Sequence, residues 1–213
     1  MGALMQENRS ETGRQLERVA AGDQAALAGV FQQYRPRLRK MVQLRLDRRL
    51  QGRIDPSDVL QEAFLDISRR AANYAQSPEM PFFLWLRMMT GQKLLEFHRR
   101  HLGTQQRDAG REISICQSYP EVNSHLLASQ LLGRFSTASQ AAMRAEQQTR
   151  LEEILNGLEP IDREILTLRH FEELSNSEVA QVLELSKSAA SNRYIRALAR
   201  LKNHLTDSPG FFA

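Results

Sequence analysis

Apolar residues recur at three- and four-residue spacing along most of the chain, the period that gathers them on one face of an α-helix. The spacing predicts helices over residues 14–34, 36–48, 56–74, 82–102, 138–158, 160–171, 176–183 and 187–205. Long β-branched alternation is absent, and no Asn-Gly or Asp-Gly pair joins two apolar runs. The expected fold is all-α. Residues 103–137 break the pattern with Gly, Ser, Gln and mixed charges, with Pro120 in the middle and one weakly apolar patch at Leu126–Leu132 suited to a short helix. The reading is two small helical domains, 14–102 and 138–206, joined by a flexible linker at 103–137. Residues 1–13 read as a disordered N-terminus and 207–213 as a frayed tail with exposed Phe211 and Phe212. Fully extended, such a linker reaches roughly 115 to 125 Å, so the two domains can engage distant sites on one ligand.

Composition narrows the class. At 213 residues, 41% hydrophobic and 25% charged, the chain has the balance of a globular protein, and no apolar run approaches the roughly 20 residues of a membrane span. Met1–Ser10 lacks an apolar export segment, and Gln6 stands where a myristoylation motif needs Ser or Thr. A single cysteine, Cys116, forms neither an internal disulfide nor a cysteine metal cluster. A cytoplasmic location is expected.

Net charge is a modest +4, but its distribution is uneven. Residues 35–53 carry eight bases (Arg35, Arg37, Arg39, Lys40, Arg45, Arg48, Arg49, Arg53) against Asp47 alone. Residues 185–206 carry Lys187, Arg193, Arg196, Arg200 and Lys202 with no acid, whereas 55–66 carry Asp55, Asp58, Glu62 and Asp66 with no base. Separate basic and acidic surfaces imply two kinds of partner, and the plainer reading of each run is a solvated helix face.

Near the C-terminus, Ser175-Asn176-Ser177-Glu178 forms a capping box that starts a helix, and Ser186 is placed to cap the next. Two helices joined by three or four residues have helix-turn-helix spacing. In the second helix Ala190, Tyr194, Ala197, Leu198 and Leu201 share an inward stripe. Ser188, Ala189, Asn192, Arg193, Arg196 and Arg200 lie opposite, where they suit base edges or phosphates in a major groove. The alternative is a helical hairpin with a solvated polar face. Glu184 occupies the turn position that glycine fills at least steric cost.

Asp55-Pro56-Ser57-Asp58 opens another helix, with Asp55 as N-cap and Pro56 at the first helical position. Val59, Leu60, Ala63, Phe64 and Ile67 form its core side. Asp58, Gln61, Glu62 and Leu65 face away, as a patch for a basic partner protein or as an ordinary surface with one stray leucine. The helix from Phe82 holds Trp85 and has apolar residues on both faces, the pattern of a helix sandwiched in a core. Its aromatics, interleaved with Lys93, Arg99 and Arg100, also suit unstacked single-stranded bases. His98 and His101 have no cysteine or carboxylate at ligand spacing, and no phosphate loop or nucleophile motif occurs. No catalytic residue, metal or cofactor is expected.

Together these motifs resemble the sigma-70 family of bacterial RNA polymerase specificity factors, in its two-domain extracytoplasmic-function (ECF) branch. Residues Asp55 to Ile67 are similar to the region 2.2 helix, which such factors present to the clamp helices of the polymerase β′ subunit. The resemblance implies polymerase contacts from Asp55, Asp58, Gln61, Glu62, Leu65 and Asp66. The stretch from Trp85-Leu86-Arg87 to Arg100 is similar to regions 2.3 and 2.4, implying minus-10 contacts from Trp85, Arg87, Gln92, Lys93, Glu96, Phe97, Arg99 and Arg100. The loop Asn73–Pro81 matches the loop that receives a flipped base. Residues 158–198 resemble region 4, implying minus-35 contacts from Ser186, Lys187, Ser188, Ala189, Asn192, Arg193 and Arg196. Gln92 replaces the family's usual asparagine, Glu96 its aspartate and Glu184 its turn glycine, which points to an atypical promoter preference. The implied partners are core RNA polymerase, at the β′ clamp helices and β flap, and promoter DNA, with room for an anti-sigma factor that the residues do not identify. Two rival readings are a helix-turn-helix regulator that acts on duplex DNA without polymerase, and a protein-interaction adaptor with no DNA role.

Overall fold

The computed structural model describes residues 13–102, 120–133 and 141–206. Cys116, Phe211 and Phe212, the linker over 103–119 and 134–137, the expected disordered residues 1–12 and the tail 207–213 lie outside the described residues. Every regular element described is helical. In order they are α1 (13–20), α2 (Gln24–Arg45), a 3-10 turn at Arg48–Leu50, α3 (Pro56–Gln76), α4 (Phe82–Leu102), α5 (Ser124–Gly133), α6 (Ala141–Gly157), α7 (Pro160–His170), α8 (Asn176–Val182) and α9 (Lys187–Thr206). They form two compact units, one within Met1–Val42 and Gly52–Arg107, the other within Gln43–Gln51 and Asp108–Ala213.

The first helical break falls at Gly22, not at Pro36. Gly22 takes φ +85, a conformation that costs glycine nothing, and Asp23 then accepts from the backbone N–H groups of Ala25 and Ala26 at 2.9 and 3.0 Å, capping α2. Pro36 sits inside α2. It is tolerated because both Pro36 and Gln32, whose carbonyl loses a partner, are on the exposed side.

In the first unit, Leu27, Val30 and Leu38 of α2 are buried, as are Val59, Leu60, Ala63 and Ile67 of α3. Phe31 meets Phe64 with ring centroids 4.9 Å apart, so Phe64 closes the core edge while remaining half-buried. Helix α4 is enclosed on both faces, with Phe82, Phe83, Leu84, Leu86 and Leu94 all buried. Each such apolar side chain contributes roughly 1.5 to 3 kcal/mol by leaving water.

In the second unit, the patch at Leu126–Leu132 is realised as α5, because Leu127, Ala128 and Leu132 are buried. His125 Nδ1 of α5 meets Glu152 of α6 at 2.8 Å. Residues Gln43–Gln51 belong to this unit, although the apolar pattern alone groups them with the first. Here Arg45 is fully buried and paired with Glu164 and with Glu172, the latter at 2.5 Å. The helix-turn-helix forms as expected. Ser175 and Glu178 make the reciprocal capping box, Glu184 takes φ +54 in the turn, and Ser186 accepts from the Ala189 N–H at 3.1 Å.

Candidate functional site

The α3 ridge begins at its own cap. Asp55 accepts from the Ser57 N–H at 2.7 Å, and Asp58 accepts from the Asp55 N–H at 3.2 Å. The Ser57 N–H holds the Asp55 carboxyl below its usual range. Beyond the cap, Gln61 is exposed and Leu65 is 56% exposed, a large apolar side chain set among Asp58, Gln61 and Glu62. The acids of this ridge are not isolated from bases. Glu62 pairs with Arg100 at 3.3 Å, and Asp66 pairs with Lys93 at 2.5 Å and Arg69 at 3.4 Å. The bond from Lys93 holds the Asp66 carboxyl below its ordinary value against the opposing effect of burial. For Lys93, partial burial favours the neutral amine, but bonds to Asp66 and Glu96 outweigh it and the pKa is raised.

Two residue sets that the sequence assigned to different partners therefore share one edge, where α3 meets α4. Of the residues expected on the minus-10 face, Gln92, Glu96, Arg99 and Arg100 are exposed and Lys93 is half-buried. Trp85, Arg87 and Phe97 are buried. Trp85, 7% exposed, stacks on Tyr74 at 4.5 Å and lies 5.7 Å from Phe82, while the Arg100 guanidinium lies 5.2 Å over Phe97. Of the two readings of this helix, the sandwiched core is the one realised for these three side chains. They frame the exposed row from within. The loop before α4 is shorter than Asn73–Pro81, because α3 runs on to Gln76. The Tyr74 hydroxyl donates to the Met80 carbonyl and so ties that loop down, and burial raises its pKa to about 12.

In the second unit, α9 is capped by Ser186, and Asn176 donates from Nδ2 to the Lys187 carbonyl at 2.8 Å, fixing its first turn against α8. Ala190 and Ala197 are buried as expected, whereas Leu198 of the predicted inward stripe is 37% exposed. Lys187, Ser188, Asn192 and Arg196 are exposed, with Ala189 half-buried among them. Beside Asn192 stands Ile195, 59% exposed, a residue outside both the inward stripe and the outward set expected from the sequence. Arg193 turns elsewhere. Its Nε donates to Asp162 at 2.8 Å, its Nη2 donates to Glu159, and Arg200 joins the same two carboxylates at 2.6 and 2.9 Å. Arg200 and Arg193 together hold the Glu159 carboxyl below its ordinary value, and Glu159 and Asp162 raise Arg200.

The described residues thus carry an acidic ridge on α3, a row with Lys93, Arg99 and Arg100 on α4, and a helix-turn-helix whose second helix has no acid. Residues 9–207 match the ECF sigma factor family, and the chain belongs to it. Members of this family are RNA-polymerase-associated regulatory factors of transcription initiation. The chain is 29% identical over 190 residues to the ECF RNA polymerase sigma factor SigD of Mycobacterium tuberculosis, covering 88% of this chain and 80% of that protein. It is 28% identical over 156 residues to the probable RNA polymerase sigma factor RfaY of Xanthomonas campestris pv. campestris, covering 73% of this chain and 35% of that protein. In fold it is similar to CnrH, solved in complex with the cytosolic domain of CnrY, with a TM-score of 0.55 at 20% identity over 93% of this chain and 99% of that one. Among the described residues no helix is long and apolar enough to cross a membrane.

Proposed function

We propose that the chain binds core RNA polymerase through the exposed side of α3 and positions it on a promoter through α4 and α9. In this reading Asp55, Asp58, Gln61, Glu62, Leu65 and Asp66 meet the β′ clamp helices. The exposed row of α4, with Gln92, Lys93, Glu96, Arg99 and Arg100, follows the minus-10 strand. Ser186, Lys187, Ser188, Ala189, Asn192 and Arg196 meet the minus-35 duplex. The observation that carries the reading is the helix-turn-helix: a capped helix, a left-handed turn at Glu184, and a second helix with Ser188, Asn192 and Arg196 exposed and no acid from Leu185 to Thr206. A major-groove helix meets phosphates on both sides, and carboxylates there repel. Likeness to CnrH, solved with the cytosolic domain of CnrY, supports an anti-sigma protein as a further partner.

The test is transcription reconstituted with bacterial core polymerase over a promoter library. The wild-type chain directs initiation at a discrete set of templates. Asp58→Lys with Glu62→Lys lowers co-purification with core polymerase by at least about tenfold, since a like-charge contact replaces an opposite one. Tight, sequence-specific duplex binding by the chain alone, with no association with polymerase, would instead favour a regulator that acts without it.

A further inference from the structure

The exposed arc of α9 and the arc that holds Arg193 are different. At 100° per residue, Ser188, Asn192 and Arg196 lie within about 80° of one another on the solvent side, whereas Arg193 and Arg200, seven residues apart, stack on the flank next to Ala190 and Ala197. That flank meets the start of α7. Asp162 there is 1% exposed, so its carboxylate has little access to water and depends on its two arginines. Glu159, one turn earlier and exposed, bridges the same two guanidiniums from outside.

Resting on the reading above, we infer that Asp162 and Glu159 are positioning residues for minus-35 recognition. By holding Arg193 and Arg200 they fix the rotation and tilt at which Ser188, Asn192 and Arg196 meet the groove, and Arg193 itself reads no base. An arginine reads guanine by presenting two N–H groups to O6 and N7. Arg193 already spends Nε on Asp162 and Nη2 on Glu159. Its three remaining N–H groups could meet a base only from the flank on which the two carboxylates hold it, outside the arc of Ser188, Asn192 and Arg196, whereas Arg196 makes only a 3.4 Å bond to the carbonyl of Asn192 within its own helix.

The experiment uses the full chain with core polymerase on templates whose upstream element is randomised, sequencing the templates that yield transcripts. Arg196→Ala and Asn192→Ala are expected to erase preference at one or two base pairs, about tenfold each, and leave the others intact. Arg193→Met, Asp162→Asn and Glu159→Gln are expected to lower preference at every upstream position together while downstream preference stays at wild type. Because loss of the second unit's fold alone would also depress upstream preference, helix content and melting temperature of each variant are read by circular dichroism. A variant that keeps both at wild type has lost orientation and not fold. If Arg193→Met instead erases preference at a single base pair, Arg193 is a reader and the inference fails. It fails equally if all three variants keep the wild-type profile. Should Asp162→Asn not fold, Glu159→Gln carries the comparison, because Glu159 is exposed and its loss spares the core. A wild-type chain that initiates at no template overturns the underlying promoter reading, an outcome distinct from either profile.

Discussion

Each unit sets an acidic helix face against a basic one, and the two do so on opposite terms. Along α3 and α4, Glu62 and Arg100 pair with both side chains partly in water, and only Lys93 beside Asp66 is well covered. Between α7 and α9, Asp162 is enclosed and Arg193 and Arg200 reach in to it. A wet pair exchanges partners at little cost, because water and incoming charges replace what is lost. An enclosed carboxylate has no such substitute, so its partners are held. Under the proposed function, the first arrangement suits a surface that gives its acids over to another protein, and the second suits a helix held in one orientation.

The largest expected effect lies with a fully buried ion pair. Arg45→Ala removes the arginine from Glu172, 1% exposed, and should lower the unfolding free energy of the chain by about 3 to 5 kcal/mol in denaturant titration. Asp162→Ala should cost less, about 2 to 3 kcal/mol, because Glu159 still receives both arginines. The α7–α9 contact should also weaken in acid. Glu159 has its folded pKa lowered from 4.5, so its contribution is present above that value and disappears as pH falls through the lowered one. Helix content followed from pH 6 to pH 3, in wild type and Glu159→Gln, checks this. The variant should lose less over that range.

Glu184→Gly relieves a left-handed residue in the helix-turn-helix and should stabilise by up to about 1 kcal/mol, read as a rise in melting temperature. The smallest effect should be the Glu62 and Arg100 coupling. A double-mutant cycle with Glu62→Gln and Arg100→Gln should give about 0.5 kcal/mol or less and vanish in high salt. A coupling several times larger would mean that this edge is as rigid as the α7–α9 contact, and the contrast between the units would be lost.

Much of the helical framework was legible because helix boundaries are written locally. Asp55 before Pro56 and Ser175 before Glu178 mark starts that need no distant partner, and both capping boxes form. The break at Gly22 was missed because a proline at 36 is a louder local signal, and only its exposed position shows why the helix runs through it. Helix α5 was half-visible, since a weak apolar patch becomes a helix only when α6 is there to cover Leu127 and Leu132. Among the candidate site residues, the exposure of Leu65 was legible from its setting between acids, whereas Trp85 has the same local sequence whether it faces a base or Tyr74.

What the sequence determined unaided is what depends on neighbours within a few residues: where helices begin, which stripe of each is apolar, and where charge of one sign collects. A helical wheel gives each side chain an angle about its own axis and says nothing of what stands across from it. That Lys93 would meet Asp66, Arg193 would meet Asp162 and Arg45 would be enclosed by Glu164 and Glu172 was settled by packing, because these partners lie 27, 31, 119 and 127 residues apart. Ion pairing is short-ranged and indifferent to sequence separation, so only the folded chain decides which charges are spent inside the protein and which remain for its partners.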